Sequence, residues 1–184
     1  MNDAQTRLEA GGAVLLVIDM QDKLLPSIDD AEARTAAAVK MIQAARTLGV
    51  PIIATEQYPA GLGPTCAVVK QALADTPIAD KVRFSACIEN VMHALAQLSR
   101  RLIIVVGIEA HVCVQQTVLD LLRGGYLPFV CADAVSSRRR LDRETAIARM
   151  RQAGAVITTT ESAIFELLGQ AGTQQFRQIL PIVK

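Results

Sequence analysis

Large aromatics and histidines are nearly missing from this chain. Its 184 residues include no tryptophan, two tyrosines, four phenylalanines and two histidines. So few rings argue against an extended stacking surface. The two histidines, His93 and His111, form no H-x-x-x-H pair, so no metal cage is expected. Four cysteines, Cys66, Cys87, Cys113 and Cys131, lie far apart with no C-x-x-C, which weakens zinc and thioredoxin-like readings. A disulfide framework is not expected in so core-rich a chain. An excess of one charge is also missing. Nineteen basic residues face 18 acidic ones, for a net charge of +1, so no electrostatic case for nucleic acid follows. The run Arg138, Arg139, Arg140 reads as a solvated helix start, with an anion contact as the alternative. No apolar run reaches the roughly 18 residues that span a bilayer. The polar, acidic start "MNDAQTRLEAGG" lacks the features of a signal peptide, so a cytoplasmic protein without membrane contact is expected. Neither G-x-G-x-x-G after the first strand nor G-x-x-x-x-G-K-[ST] occurs, so no nucleotide or redox cofactor is expected.

What is present is a core. Hydrophobic residues make up 51% and charged residues 20%, enough to fold one domain over residues 1–184. "AVLLVIDM" (13–20) reads as a strand buried on both faces. A helix over 29–49 ends at Gly49, and a strand over 50–55 carries its proline at its beginning. A loop rich in glycine and proline spans 56–65, with a weaker helix at 66–74. A short strand and loop (78–86) and a helix (87–99) lead to the clearest strand, "RLIIVVG" (101–107). A helix over 112–125 follows. The strand at 126–133 is less clear, because Pro128 argues against a fully bonded central position. A helix (141–154), a strand (155–158), a capped helix (159–169) and one short tail element complete the chain. Strand and helix alternate about six times, and most strands lack period-two alternation. This predicts an α/β fold, a three-layer α-β-α sandwich around a mostly parallel, six-stranded sheet.

In such a sheet, active groups gather beyond the C-terminal ends of the strands, near the switch in strand order. Those ends hold Asp19, Thr55, Glu56, Lys81, the segment from Gly107 to Cys113, and Asp133. Cys113 lies at a helix start, where free N–H groups favour a thiolate, against the alternative of an inert packed thiol. Cys87 also begins a helix and is the strongest decoy. Asp19 ends a greasy strand as either a turn acid or a general base. Lys81 is either a surface lysine or a charge partner. An acid, an ammonium and a thiol on one edge would suit acyl transfer.

"LLVIDMQ" (15–21), "KVRFSA" (81–86) and "GIEAHVCVQQT" (107–117) resemble the isochorismatase-like cysteine hydrolase family, over about residues 13–168. "TEQYPAGLG" (55–63) resembles the isochorismatase-domain-containing subgroup. The resemblance implies Asp19 as base, Lys81 as its partner and Cys113 as nucleophile. It also implies a non-proline cis peptide between Ile108 and Glu109, and an oxyanion hole made by the backbone N–H groups of Glu109 and Cys113. Gln21, Leu24, Tyr58, Phe84 and His111 lie in segments expected to approach the substrate. Two departures matter. Ala110 stands where the family often has threonine, and the loop "TEQYPAGLGPTCAV" has no histidine for the metal that nicotinamidases use. With the cysteine present, a small amide or related acyl compound is the expected substrate. A vinyl-ether substrate or a non-catalytic binding role are the alternatives. Family members usually form homodimers or larger homo-oligomers, and the same is expected here.

Overall fold

In this computed structural model, residues 6–184 are described, so the reading of the N-terminal dozen lies partly outside the described residues. Six strands form one sheet: β1 (Ala13–Ile18), β2 (Ile52–Gln57), β3 (Ile78–Lys81), β4 (Leu102–Ile108), β5 (Leu127–Ser136) and β6 (Val156–Thr158). Their order is β3-β2-β1-β4-β5-β6, and every pairing is parallel. The order reverses between β1 and β4, which makes the crevice at their C-terminal ends the switch point of a doubly wound sheet.

β1 shows why its sequence does not alternate. Leu15 and Val17 pack into one core, while Val14, Leu16 and Ile18 pack into the other. Both faces of the strand are therefore dry. The first core lies under α1 (Ala31–Thr47), α3 (Ala67–Leu73), α7 (Thr160–Leu168) and α8 (Gln174–Val183). The second lies under α4 (Glu89–Leu98), α5 (Gln115–Arg123) and α6 (Arg140–Gln152). In α1 the buried positions Ala38, Met41, Ile42 and Ala45 follow helical spacing. The helix stops at Gly49, whose φ of +69° is the left-handed conformation glycine adopts most readily.

Two sequence readings need correction. The segment after β2 is not all loop: the strand continues through Glu56 and Gln57, and Pro59–Leu62 forms a short helix, α2. Pro128 does sit in an interior strand. Leu127 sends its N–H to Arg101 of the β4 side, so the next residue faces the other way. Pairing with β6 begins only at Phe129, so the missing N–H of Pro128 breaks no ladder bond.

At the top of β4 the backbone closes tightly on β1. A Cβ on Gly107 would lie 2.1 Å from the Ile18 carbonyl oxygen, and its φ is +130°. The β4–β5 register shifts at this point, from Val105↔Val130 to Gly107↔Val135. Within the extra length of β5, Asp133 accepts hydrogen bonds from the backbone N–H and hydroxyl of Thr160, at 2.8 and 3.0 Å. This acid caps the start of α7.

Candidate active site

The residue after β1, Asp19, has φ +51°, a left-handed conformation that aspartate tolerates better than most side chains. It is fully buried. A buried carboxylate is costly unless partnered, and this one is: Thr55 donates its hydroxyl to Oδ1 at 2.8 Å, and Lys81 donates to Oδ2 at 2.7 Å. Both side chains of the Lys81–Asp19 ion pair are wholly shielded from solvent. Lys81 also donates to the Gln57 Oε1 at 2.7 Å, to the Phe84 carbonyl at 2.9 Å and to the Arg83 carbonyl at 3.3 Å. The ammonium is thereby fixed in place.

Gln57 links this pair to the thiol. Its Oε1 lies 3.9 Å from the Cys113 Sγ. Its Nε2 donates to the Val82 carbonyl at 2.9 Å, which fixes which end of the amide faces Lys81. The parallel register places Gln57 directly beside Lys81. Sequence reading missed it because the apolar part of β2 ends earlier. The available signal was alternation: Thr55 and Gln57 are buried, and Glu56 between them is less so. Glu56 instead ties down the next loop, accepting from the N–H and hydroxyl of Thr65.

Cys113 does not occupy the free end of a regular helix. It sits in a π-helical turn, Ala110–Val114, that leads into α5. The peptide bond between Ile108 and Glu109 is cis. Contrary to the lowered pKa expected at a helix start, the Cys113 thiol is pushed up to about 12, first by burial and then by the Asp19 charge, with Lys81 opposing. Burial also raises Cys66, Cys87 (to about 11) and Cys131. Acidity therefore does not single out Cys113. Its neighbours do, since Asp19 and Lys81 both act on its sulfur.

A cavity of about 460 Å³ opens over this thiol. Leu24, Gln57, Phe84 and Val112 share its wall with Cys113, and its charged lining is Lys23, Glu109 and Arg138. Of the expected substrate contacts, Leu24 and Phe84 reach the cavity. Gln21 is buried and braces the 58–65 loop, donating to the carbonyls of Gln57 and Gly63 at 3.0 and 2.6 Å and accepting from the Gln57 N–H at 2.8 Å. Tyr58 is 55% exposed, with its ring against Gly61. His111 pairs its Nδ1 with the Ser137 hydroxyl at 2.9 Å, and its Nε2 lies 4.0 Å from the Glu109 carboxylate. His93 faces Gln97 on an exposed helix surface. Among the described residues, no group of three or more His, Cys, Asp or Glu side chains is placed to hold a metal ion.

Fold and site together define a class: a doubly wound α/β protein with a shielded acid–ammonium pair beside a thiol at its switch point. The chain belongs to the isochorismatase-like hydrolase family, whose model, the Isochorismatase domain, matches residues 13–162. Isochorismatase domain-containing protein 2 of Xenopus laevis is 40% identical over 178 residues, spanning 96% of this chain and 86% of that protein. MAR1 ribonuclease from Caenorhabditis elegans superimposes with a TM-score of 0.93 at 41% identity, covering 97% of this chain and 92% of that one. YcaC from Pseudomonas aeruginosa, solved with hexane-2,5-diol and covalent acrylamide, gives a TM-score of 0.88 at 25% identity, covering 97% and 92%.

Proposed function

We propose that this protein is a cysteine hydrolase that cleaves a small amide or related acyl C–N bond through a thioester. The observation that carries the reading is the thiol of Cys113 at the wall of a cavity, backed by the shielded Lys81–Asp19 pair. Asp19 takes the thiol proton as the sulfur attacks the substrate carbonyl carbon. The backbone N–H groups of Glu109 and Cys113 hold the developing oxyanion. Asp19 returns the proton to the leaving nitrogen, and the C–N bond breaks. Water then attacks the thioester with Asp19 again as base, releasing the acid and restoring the thiol. Lys81 holds Asp19 in place and offsets negative charge as the thiolate forms.

The cavity's size suits a small molecule. Covalent acrylamide in the Pseudomonas relative supports an accessible nucleophile on this fold. Exposed Tyr58, Val82 and Phe84 near the site support self-association into homo-oligomers, which light scattering would measure.

The test is a substrate panel run on wild type and Cys113→Ala. It contains small amides, isochorismate as a vinyl ether, and an RNA oligonucleotide to cover the ribonuclease relative. Ammonia release from an amide, falling by at least about 10³-fold in Cys113→Ala, is the expected result. Turnover of isochorismate or RNA that survives in Cys113→Ala would replace the reading.

A further inference from the structure

The outer face of α1 is short of charge where a solvent-facing helix is normally rich in it. Four of its 17 residues are charged: Glu32, Arg34, Lys40 and Arg46. Arg34 is committed to the Asp133 carbonyl of β5 at 3.1 Å, and Lys40 to the Val183 carbonyl at the end of α8 at 3.2 Å. The outward stripe that remains is Glu32, Thr35, Ala36, Val39, Gln43 and Arg46. Its middle is small and uncharged, with an acid at one end and a base at the other. Two depressions of about 560 and 840 Å³ follow this stripe and meet at Val39 and at Val68 of α3, which is 55% exposed. Asp22 and Glu32 are the charged residues lining the first, and Arg46 is the charged residue lining the second. Arg46 spends one terminal nitrogen on the Leu73 carbonyl at 3.2 Å. The groove is therefore complementary in charge to a reversed copy of itself.

The spacing fixes the centre of that reversal. Glu32, Val39 and Arg46 are seven residues apart. When α1 lies antiparallel to its own copy with Val39 on the two-fold axis, Glu32 meets Arg46 twice and Thr35 meets Gln43 twice. A line of seven-residue spacing stays in contact when two helices cross at about 20°. The charged ends then lie about 10 Å along the helix from the axis, and the crossing offsets them by only a few ångström, which Glu and Arg side chains span. We propose that the outer face of α1, with the groove between it and α3, is the interface with a second copy of this chain, packed antiparallel about Val39. The inference is independent of the amidase reading. It also concerns a different surface from Tyr58, Val82 and Phe84, none of which lines this groove.

Cross-linking reads the axis directly. A residue on a two-fold axis meets its own copy, so Val39→Cys should give a covalent dimer on a non-reducing gel after mild oxidation. Glu89→Cys, exposed on α4 across the sheet, should not, and wild type supplies the background from the four native thiols. Sedimentation equilibrium tests the charges. Glu32→Arg or Arg46→Glu brings like charges together at two symmetric places, and each should weaken association on the order of tenfold. The double variant Glu32→Arg/Arg46→Glu should restore it. Both positions are exposed, and circular dichroism checks that each variant is folded. Three results overturn the proposal: a wild-type monomer at micromolar concentration, Val39→Cys that cross-links no better than Glu89→Cys, or a double variant that associates as weakly as the single ones. An oligomer without the Val39→Cys cross-link puts the interface on another face, and a monomer leaves the groove to a different protein.

Discussion

A thiol that resists ionisation can still be a nucleophile if its base is in contact with it. Cys113 is held protonated by burial and by Asp19, the same carboxylate that accepts its proton in the proposed mechanism. Proton transfer and attack are then coupled, and the resting thiol is protected from adventitious oxidation. The two roles of Asp19 can be separated. Asp19→Asn removes the charge that opposes the thiolate and frees Lys81 to stabilise it. Alkylation of Cys113 by iodoacetamide at pH 8, followed by mass spectrometry, should therefore quicken by about tenfold, one unit of pKa. Amide hydrolysis by the same variant should collapse. Slower alkylation in Asp19→Asn would show that the carboxylate is not what holds the proton on sulfur. Lys81→Met should do the opposite to the thiol, slowing alkylation, because it removes a cation that favours the thiolate. It also leaves a shielded carboxylate unpaired, at a stability cost of about 3–5 kcal/mol that a denaturant titration would read.

Among the elements, the β1–β4 contact sets the site geometry. Asp19 follows one of these strands, and Glu109 through Cys113 follow the other, so their separation depends on how closely the strands meet. Gly107 is where they meet. Gly107→Ala would drive a methyl into the Ile18 carbonyl at a φ unsuited to alanine, and should cost at least about 3 kcal/mol or prevent folding. Gly11→Ala is the control: a Cβ there meets nothing within 4 Å, and the unfolding midpoint should barely move. The same scale explains the less legible elements. β2 outlasts its apolar run because its last residues bond to β3 in register, a partner invisible in a local window. Pro128 looked like an interruption because local reading does not reveal where a neighbouring strand starts.

Across the whole molecule, buried thiols link stability to alkaline pH. Their folded pKa values lie above the ordinary value of 9.0, reaching about 11 at Cys87 and about 12 at Cys113. Above pH 9 the unfolded chain releases thiol protons that the native state keeps. The unfolded state then binds fewer protons, and stability falls as pH rises. Each thiol withdraws about 1.4 kcal/mol per pH unit in that window. Urea midpoints should drop between pH 8 and pH 10. Cys131→Ala, at a fully buried position, should flatten that drop by one thiol's share whatever it does to the absolute stability. An unchanged slope would show that the Cys131 thiol contributes nothing to the pH dependence.

Layering and alternation were legible in the linear chain because they are local properties: apolar runs too continuous for a one-sided sheet, helical spacing between them, and glycine at a helix end. Asp19, Lys81 and Cys113 could be picked out as candidates because each lies at or beyond the C-terminal end of a strand, and in a parallel sheet those ends share one edge. What only the tertiary structure decided were relations between distant residues. These are the insertion of Gln57 between Lys81 and the thiol, the bracing role of Gln21, and the turning of Arg138 toward the cavity while its two neighbours pair along a helix. They also include the raised pKa of Cys113. Burial and Coulomb fields depend on what packs around an atom, and that environment is assembled from segments far apart along the chain.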